Sequence, residues 1–161
     1  PAAYLAGAPR GLDLGAYVPE MSRRGRGIAI WCSIRQMGLR GYQEMVDRCL
    51  DNAWAFADWV DAEPGLELMA PAPLNMVCWR YTPDGLDDEA TDRFNRAAVV
   101  AIQDDGRAFV SGTVWNGRAA IRCAFDNWTT TLADVEILES AVRDIGEQLQ
   151  GGPGPQVETR G

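Results

Sequence analysis

The sequence predicts an α+β fold: helices packed on one face of a small antiparallel sheet of about four strands, preceded by a long bent helix. Three observations lead there. The element order reads loop, long bent helix, two strands, helix, hairpin, helix. Asn116-Gly117 sits between two strand-like runs and is a strong hairpin signal, because both residues tolerate positive φ. Arg118 to Phe125 alternates, with Ala119, Ile121, Cys123 and Phe125 on one face and Arg118, Ala120, Arg122 and Ala124 on the other. No internal repeat is found.

Residues 1–27 read as irregular connection, since Gly7, Pro9, Gly11, Gly15 and Pro19 break every period. Such a segment is either a functional loop or a frayed end. Tyr4 and Tyr17 are its side chains with a proton to offer. Ser22-Arg23-Arg24-Gly25-Arg26 then places three arginines within four residues, ahead of an apolar run. Ser22 suits a helix cap. Clustered guanidinium groups suit either an anion or plain solvation on a basic patch.

Ile28, Trp31, Ile34 and Met37 recur three or four apart, which predicts a buried helix over 28–38. Gly38 and Gly41 bracket a break. From Tyr42 the period resumes with Met45, Val46, Cys49, Ala53, Phe56 and Val60 on one face, and Glu63-Pro64-Gly65 stops it. Leu66–Met69 and Asn75–Tyr81 read as strands, with Pro71 and Pro73 turning between them. Pro83-Asp84-Gly85 is a turn. Leu86 to Ile102 is a helix with Asp87, Asp88 and Glu89 in its first turn, where the dipole favours anions, and Asp104-Asp105-Gly106 ends it. Ala108–Thr113 and Arg118–Phe125 are the hairpin strands. Thr131-Leu132-Ala133-Asp134 opens a last amphipathic helix running to Leu149. The Gly/Pro-rich 151–161 reads as a disordered tail. The domain layout is therefore 1–27 connection, 28–150 α+β domain and 151–161 tail.

The 161 residues suffice for one real core. A formal net charge of −8 argues against a nucleic-acid partner, and no apolar run approaches a membrane span. The first residues lack the basic and long apolar regions of a signal peptide. Cys32, Cys49, Cys78 and Cys123 are widely spaced in apolar segments, which suggests buried free thiols in a reducing cytoplasm. With no His, no metal site is expected. All fifteen basic residues are Arg. The chain therefore cannot form a Ser-His-Asp or Cys-His mechanism, nor a covalent imine to a cofactor aldehyde, which needs a lysine amine. The alternation on the last strand puts Arg122 on an open face or in a cleft, where small Ala neighbours leave room to reach an anion. A merely exposed arginine on a one-faced sheet fits the pattern equally.

Several blocks now resemble a known family. They are Ala3-Tyr4-Leu5; Ser22-Arg23-Arg24-Gly25-Arg26 with Ile30-Trp31; Ile34-Arg35-Gln36-Met37-Gly38 with Gly41; Asn75-Met76-Val77-Cys78-Trp79-Arg80; and Ile121-Arg122-Cys123 through Thr129-Thr130. From Tyr4 to about Leu149 the chain resembles the C-terminal third of the group II pyridoxal-phosphate-dependent amino-acid decarboxylases, which include the aromatic-amino-acid, histidine and glutamate enzymes. The resemblance implies the small C-terminal domain of a fold-type-I enzyme. It implies that the loop holding Tyr4 closes over the site of a neighbouring subunit, that Tyr4 gives a proton to Cα after carbon dioxide leaves, and that catalysis needs a homodimer. It puts Ser22 near the cofactor phosphate and Arg122 against the substrate carboxylate. The cofactor, pyridoxal 5′-phosphate, would be anchored by a lysine of a large domain or separate chain, so this chain alone is expected to be inactive. Two other readings stand beside it: an interaction module or subunit of a split enzyme, and part of a different fold-type-I lyase. Which amino acid is the substrate is not written in these residues. If a large lobe covers this one, Trp31, Trp115 and Trp128 should be exposed here, and self-association should follow.

Overall fold

The computed structural model describes residues 24–151. The chain divides into two compact units, 1–40 and 41–161. Tyr4, Ser22, Arg23 and the tail beyond Gly151 lie outside the described residues.

In the first unit, helix α1 (Arg26–Ala62) begins, and Gly38 interrupts it with φ 65° and ψ 179°. That backbone strongly favours glycine, so the expected break falls at Gly38, while Gly41 stays helical. The expectation of a buried helix over 28–38 is not met. Ile28, Ile30, Trp31, Ile34 and Leu39 are all more than half exposed. The period did mark a helix; periodicity tells which face is apolar, not what covers it.

The second unit carries the core. The rest of α1 buries Ala53, Phe56, Ala57 and Val60, whereas Val46, expected on that face, is exposed. Gly65, at φ 79°, turns the chain into β1 (Leu66–Leu68), and β2 (Met76–Tyr81) returns antiparallel to it. Helix α2 (Asp88–Asp105) starts two residues after the expected Leu86: Asp87 is its cap, its carboxylate accepting the Ala90 N–H at 2.7 Å. Gly106, at φ 80°, closes it. Strands β3 (Ser111–Trp115) and β4 (Arg118–Ala124) form the expected hairpin.

The third strand begins later than the apolar run implied. Residues 108–110 lead in without pairing; Val110 is buried and its carbonyl accepts from Gln103 Nε2 at 2.7 Å. The hairpin explains the shift. Asn116 (φ 49°) and Gly117 (φ 81°) make a two-residue turn, so the ladder runs right up to it, with Trp115 opposite Arg118. Helix α3 (Leu132–Gly151) opens at Thr131, whose N–H and hydroxyl both donate to the Asp134 carboxylate at 2.8 Å.

The sheet order is β1-β2-β4-β3, antiparallel throughout. Its inner face presents Val77, Trp79, Tyr81, Ile121, Cys123 and Phe125 to α2, α3 and the second half of α1. Aromatic rings run through this core: Phe56 meets Trp79 and Phe125, Trp79 meets Tyr81, and Tyr81 meets Phe94, with centroids 5.1–5.9 Å apart. Tyr81 donates its hydroxyl to Val142 O at 2.7 Å, and the Trp79 indole N–H donates to Cys123 Sγ at 3.4 Å. Cys123 is the one fully buried thiol; Cys49 and Cys78 are half-buried and Cys32 is exposed, so burial of all four is corrected. All four are free.

Candidate functional site

The strand residues that alternate away from the core include three arginines, Arg80, Arg118 and Arg122, and these differ by partner. On β4, Arg118 forms a two-pronged pair with Glu67 of β1, Nη1 and Nη2 donating to the two carboxylate oxygens at 2.8 and 2.6 Å. Since β2 lies between β1 and β4, this bridge spans it. Arg80, the register partner of Glu67, is 1% exposed and holds Asp92 at 3.2 Å through Nη2. Such a buried guanidinium would be costly without a carboxylate beside it. The Arg118 contact holds the Glu67 carboxyl below the usual carboxylate range, its hydrogen bonds outweighing partial desolvation.

Arg122 differs. It is exposed in mid-strand, as the alternation predicts. Among the described residues its side chain meets no carboxylate; its Nε donates to Ser111 Oγ at 3.2 Å, and Nη1 and Nη2 have no protein acceptor. Arg122 is thus the strand arginine whose terminal nitrogens face solvent, in contrast to Arg118 and Arg80 with their carboxylates. Its register partners are Cys78 on β2 and Ser111 on β3. Burial raises the Cys78 thiol above its usual value, with the Arg122 charge pulling the other way. The thiol beside the guanidinium therefore stays neutral, and the local charge is that of Arg122.

The sequence reading singled out Arg122 but not Ser111. The signal was available. With a two-residue turn at Asn116-Gly117, Trp115 faces Arg118, and counting back along both strands brings Ser111 opposite Arg122. Arg80 was missed because a lone arginine in a strand gives no hint of burial. The other expected site residues, Tyr4 and Ser22, lie outside the described residues.

A concavity of about 150 Å³ lies elsewhere, lined by Trp59, Glu63, Tyr81 and Arg143 among others. Its cation is already engaged: Arg143 Nε and Nη2 donate to Glu63 at 2.9 and 2.6 Å, and its guanidinium sits over the Trp59 ring. Among the described residues, no group of three His, Cys, Asp or Glu is placed to hold a metal, and no helix is long and apolar enough to cross a membrane.

The chain is similar to known proteins along most of its length. The chain is 28% identical to tyrosine decarboxylase 4 of Petroselinum crispum over 133 residues, covering 80% of this chain and 26% of that one. It is 28% identical to an aromatic-L-amino-acid decarboxylase of Bacillus atrophaeus over 139 residues, 86% of this chain and 29% of the other. Its fold matches the crystal structure of Oryza sativa TDC with PLP and tryptamine at a TM-score of 0.78 and 24% identity, over 85% of this chain and 30% of that one. Rhodiola rosea 4-hydroxyphenylacetaldehyde synthase matches at 0.77 and 22%. The chain thus spans under a third of the length of these relatives. Residues 2–82 match the family described as the pyridoxal-dependent decarboxylase conserved domain, and the chain belongs to that family.

Proposed function

We propose that this chain is the smaller lobe of a pyridoxal-5′-phosphate-dependent carboxy-lyase acting on aromatic L-amino acids, with Arg122 gripping the substrate carboxylate. The observation that carries it is Arg122, exposed on the outer face of the sheet and without a carboxylate partner among the described residues, in a chain of this family. The names of the relatives support the aromatic substrate class.

The residues present do not suit the cofactor's anchor. Covalent attachment needs a lysine amine, and the chain has none. The anchor and the contacts to the cofactor ring are therefore assigned to a larger lobe covering the open face. When bound, the cofactor supplies the electron sink for the bond that breaks. This chain's own work is to hold an acid group in one orientation. A planar fork of donors does that by hydrogen bonding alone.

We assign Tyr4 as the donor that protonates Cα once the carboxylate has left, and Ser22 to the phosphate side of the cofactor. A late proton donor on a closing segment would protect the reaction from early protonation. The exposed apolar residues of the first unit, Trp31 above all, support burial against the larger lobe or a second protomer in a homodimer. Four free thiols support a reducing, cytoplasmic setting.

The test uses the full-length protein carrying this chain. Arg122→Lys keeps the charge but loses the fork, and should raise KM for tyrosine or tryptophan at least tenfold. Tyr4→Phe should leave substrate binding intact and lower amine formation. An unchanged KM in the Arg122→Lys protein would remove the assignment. The isolated 161-residue chain mixed with pyridoxal 5′-phosphate should show no protein-dependent visible absorbance.

A further inference from the structure

Arg122 is not simply free on the open face; it is held at one point. Ser111 and Arg122 are register partners on β3 and β4, so their Cα positions are fixed by the ladder. The Ser111 hydroxyl donates to Arg122 O at 3.4 Å. With its hydrogen committed there, the oxygen turns a lone pair outward, and Arg122 Nε–H donates to it at 3.2 Å. One small side chain thus reads both the main chain and the side chain of the same residue.

A guanidinium can meet a carboxylate along two edges. One uses Nε with a neighbouring Nη; the other uses Nη1 with Nη2. Here the first is occupied by Ser111, and among the described residues the second stands open. A long exposed side chain also loses much rotamer freedom when it binds, and an anchor that removes part of that freedom beforehand strengthens binding.

We propose that Ser111 is a positioning residue for the substrate carboxylate: by taking Nε of Arg122 it leaves the Nη1–Nη2 edge as the two-pronged receptor. This rests on the reading of Arg122 given above, and the experiment separates the two. The full-length protein is prepared as wild type, Ser111→Ala, Ser111→Thr, Arg122→Lys and the double variant Ser111→Ala/Arg122→Lys. For tyrosine, KM and kcat are measured with inhibition constants for two probes. The first, 3-(4-hydroxyphenyl)propanoate, carries the carboxylate and lacks the amine; the second, tyramine, carries the amine and lacks the carboxylate. Tryptophan, indole-3-propanoate and tryptamine form the parallel set.

Ser111→Ala should raise KM and the propanoate constant about fivefold, with kcat within about twofold and the amine constant unchanged. Ser111→Thr, which keeps the hydroxyl, should restore wild-type values. In the Arg122→Lys background the Ser111→Ala change should add nothing, because the group it acts through is gone. Three results overturn the proposal: a Ser111→Ala effect that is absent while Arg122→Lys raises both constants, one that persists undiminished in the double variant, or one that moves the amine constant equally. If Arg122→Lys itself leaves the propanoate constant unchanged, the reading of Arg122 fails first, and Ser111 with it. A Thr variant that folds like wild type but fails to rescue also counts against the hydroxyl.

Discussion

Asn95→Ala should be among the most damaging single changes to the fold, and the reason lies where the β2–β4 ladder ends. That ladder pairs Met76 with Ala124 through Trp79 with Ile121. Past it, α2 supplies side chains in place of strand. The Tyr81 N–H donates to Asn95 Oδ1 at 2.8 Å, and Asn95 Nδ2 donates to Tyr81 O and to Thr91 O, each at 2.9 Å. Asp92 Oδ1 accepts the Ala119 N–H at 2.9 Å. Asn95 is 1% exposed, so water cannot take over these groups. Truncation orphans the Tyr81 amide and leaves its carbonyl only the long 3.5 Å contact from Arg80 Nε. An unsatisfied buried group costs about 1–3 kcal/mol and each lost bond about 1 kcal/mol, so a loss of about 3 kcal/mol is expected. With a urea slope of about 1.5–2 kcal/mol/M, the midpoint should fall by roughly 1.5–2 M. Asn95→Asp gives a sharper check. It keeps the acceptor but aims a carboxylate at two carbonyl oxygens, which favours the protonated acid in the folded state. A folded pKa raised above the unfolded value of about 3.9 means stability is present below that pH and lost as pH rises. Urea titrations of the isolated chain followed by far-UV circular dichroism would measure both. An Asn95→Ala loss under about 1 kcal/mol, or an Asn95→Asp stability that is flat with pH, would refute the argument.

Three further outcomes are expected. Glu63 and Glu67 are held below their ordinary 4.5 by hydrogen bonds from Arg143 and Arg118, so their contribution is complete above that pH and should fade as pH drops through their lowered values; a thermal melt series through the acid range would show it, and Glu67→Gln should flatten part of the slope. Cys123 runs the other way: complete burial pushes its thiol from 9.0 to about 12, so stability is full below pH 9 and declines as the unfolded chain ionises above it, a loss that Cys123→Ala should remove from the alkaline melts. A β-carbon at Gly146 would lie 3.0 Å from Tyr81 Cε1, so Gly146→Ala should lower stability by about 1–3 kcal/mol by pushing that ring off Val142 O, visible as a lowered melting temperature.

The order of elements was legible because each carries its own local signature. Gly38, Gly65, Gly106 and Asn116-Gly117 all mark breaks or turns in the sequence, and all stand at them in the fold. What escaped depends on distant partners. Ala108–Val110 has the composition of a strand, yet its neighbours are a helix end and the core, so it buries Val110 without pairing. The helix over 28–38 shows the converse: its apolar face was visible, while its cover was not a property of the segment. Arg122 could be placed by alternation alone, because which side of a strand a residue takes is local. Asn95 and Asp92 could not, since on a helix wheel they look like any polar pair. Only the end of a ladder two elements away makes them necessary.

The two sides of the sheet answer to different demands. The aromatic train, the Tyr81–Val142 link and the α2 brackets all lie inward of the backbone, while Ser111, Cys78 and Arg122 stand outward of it. Exchanging Ser111 or Arg122 therefore empties no cavity and moves no ring. Recognition can drift at these two positions while the scaffold's integrity is held constant, and a library confined to them can be screened first for solubility and only afterwards for chemistry.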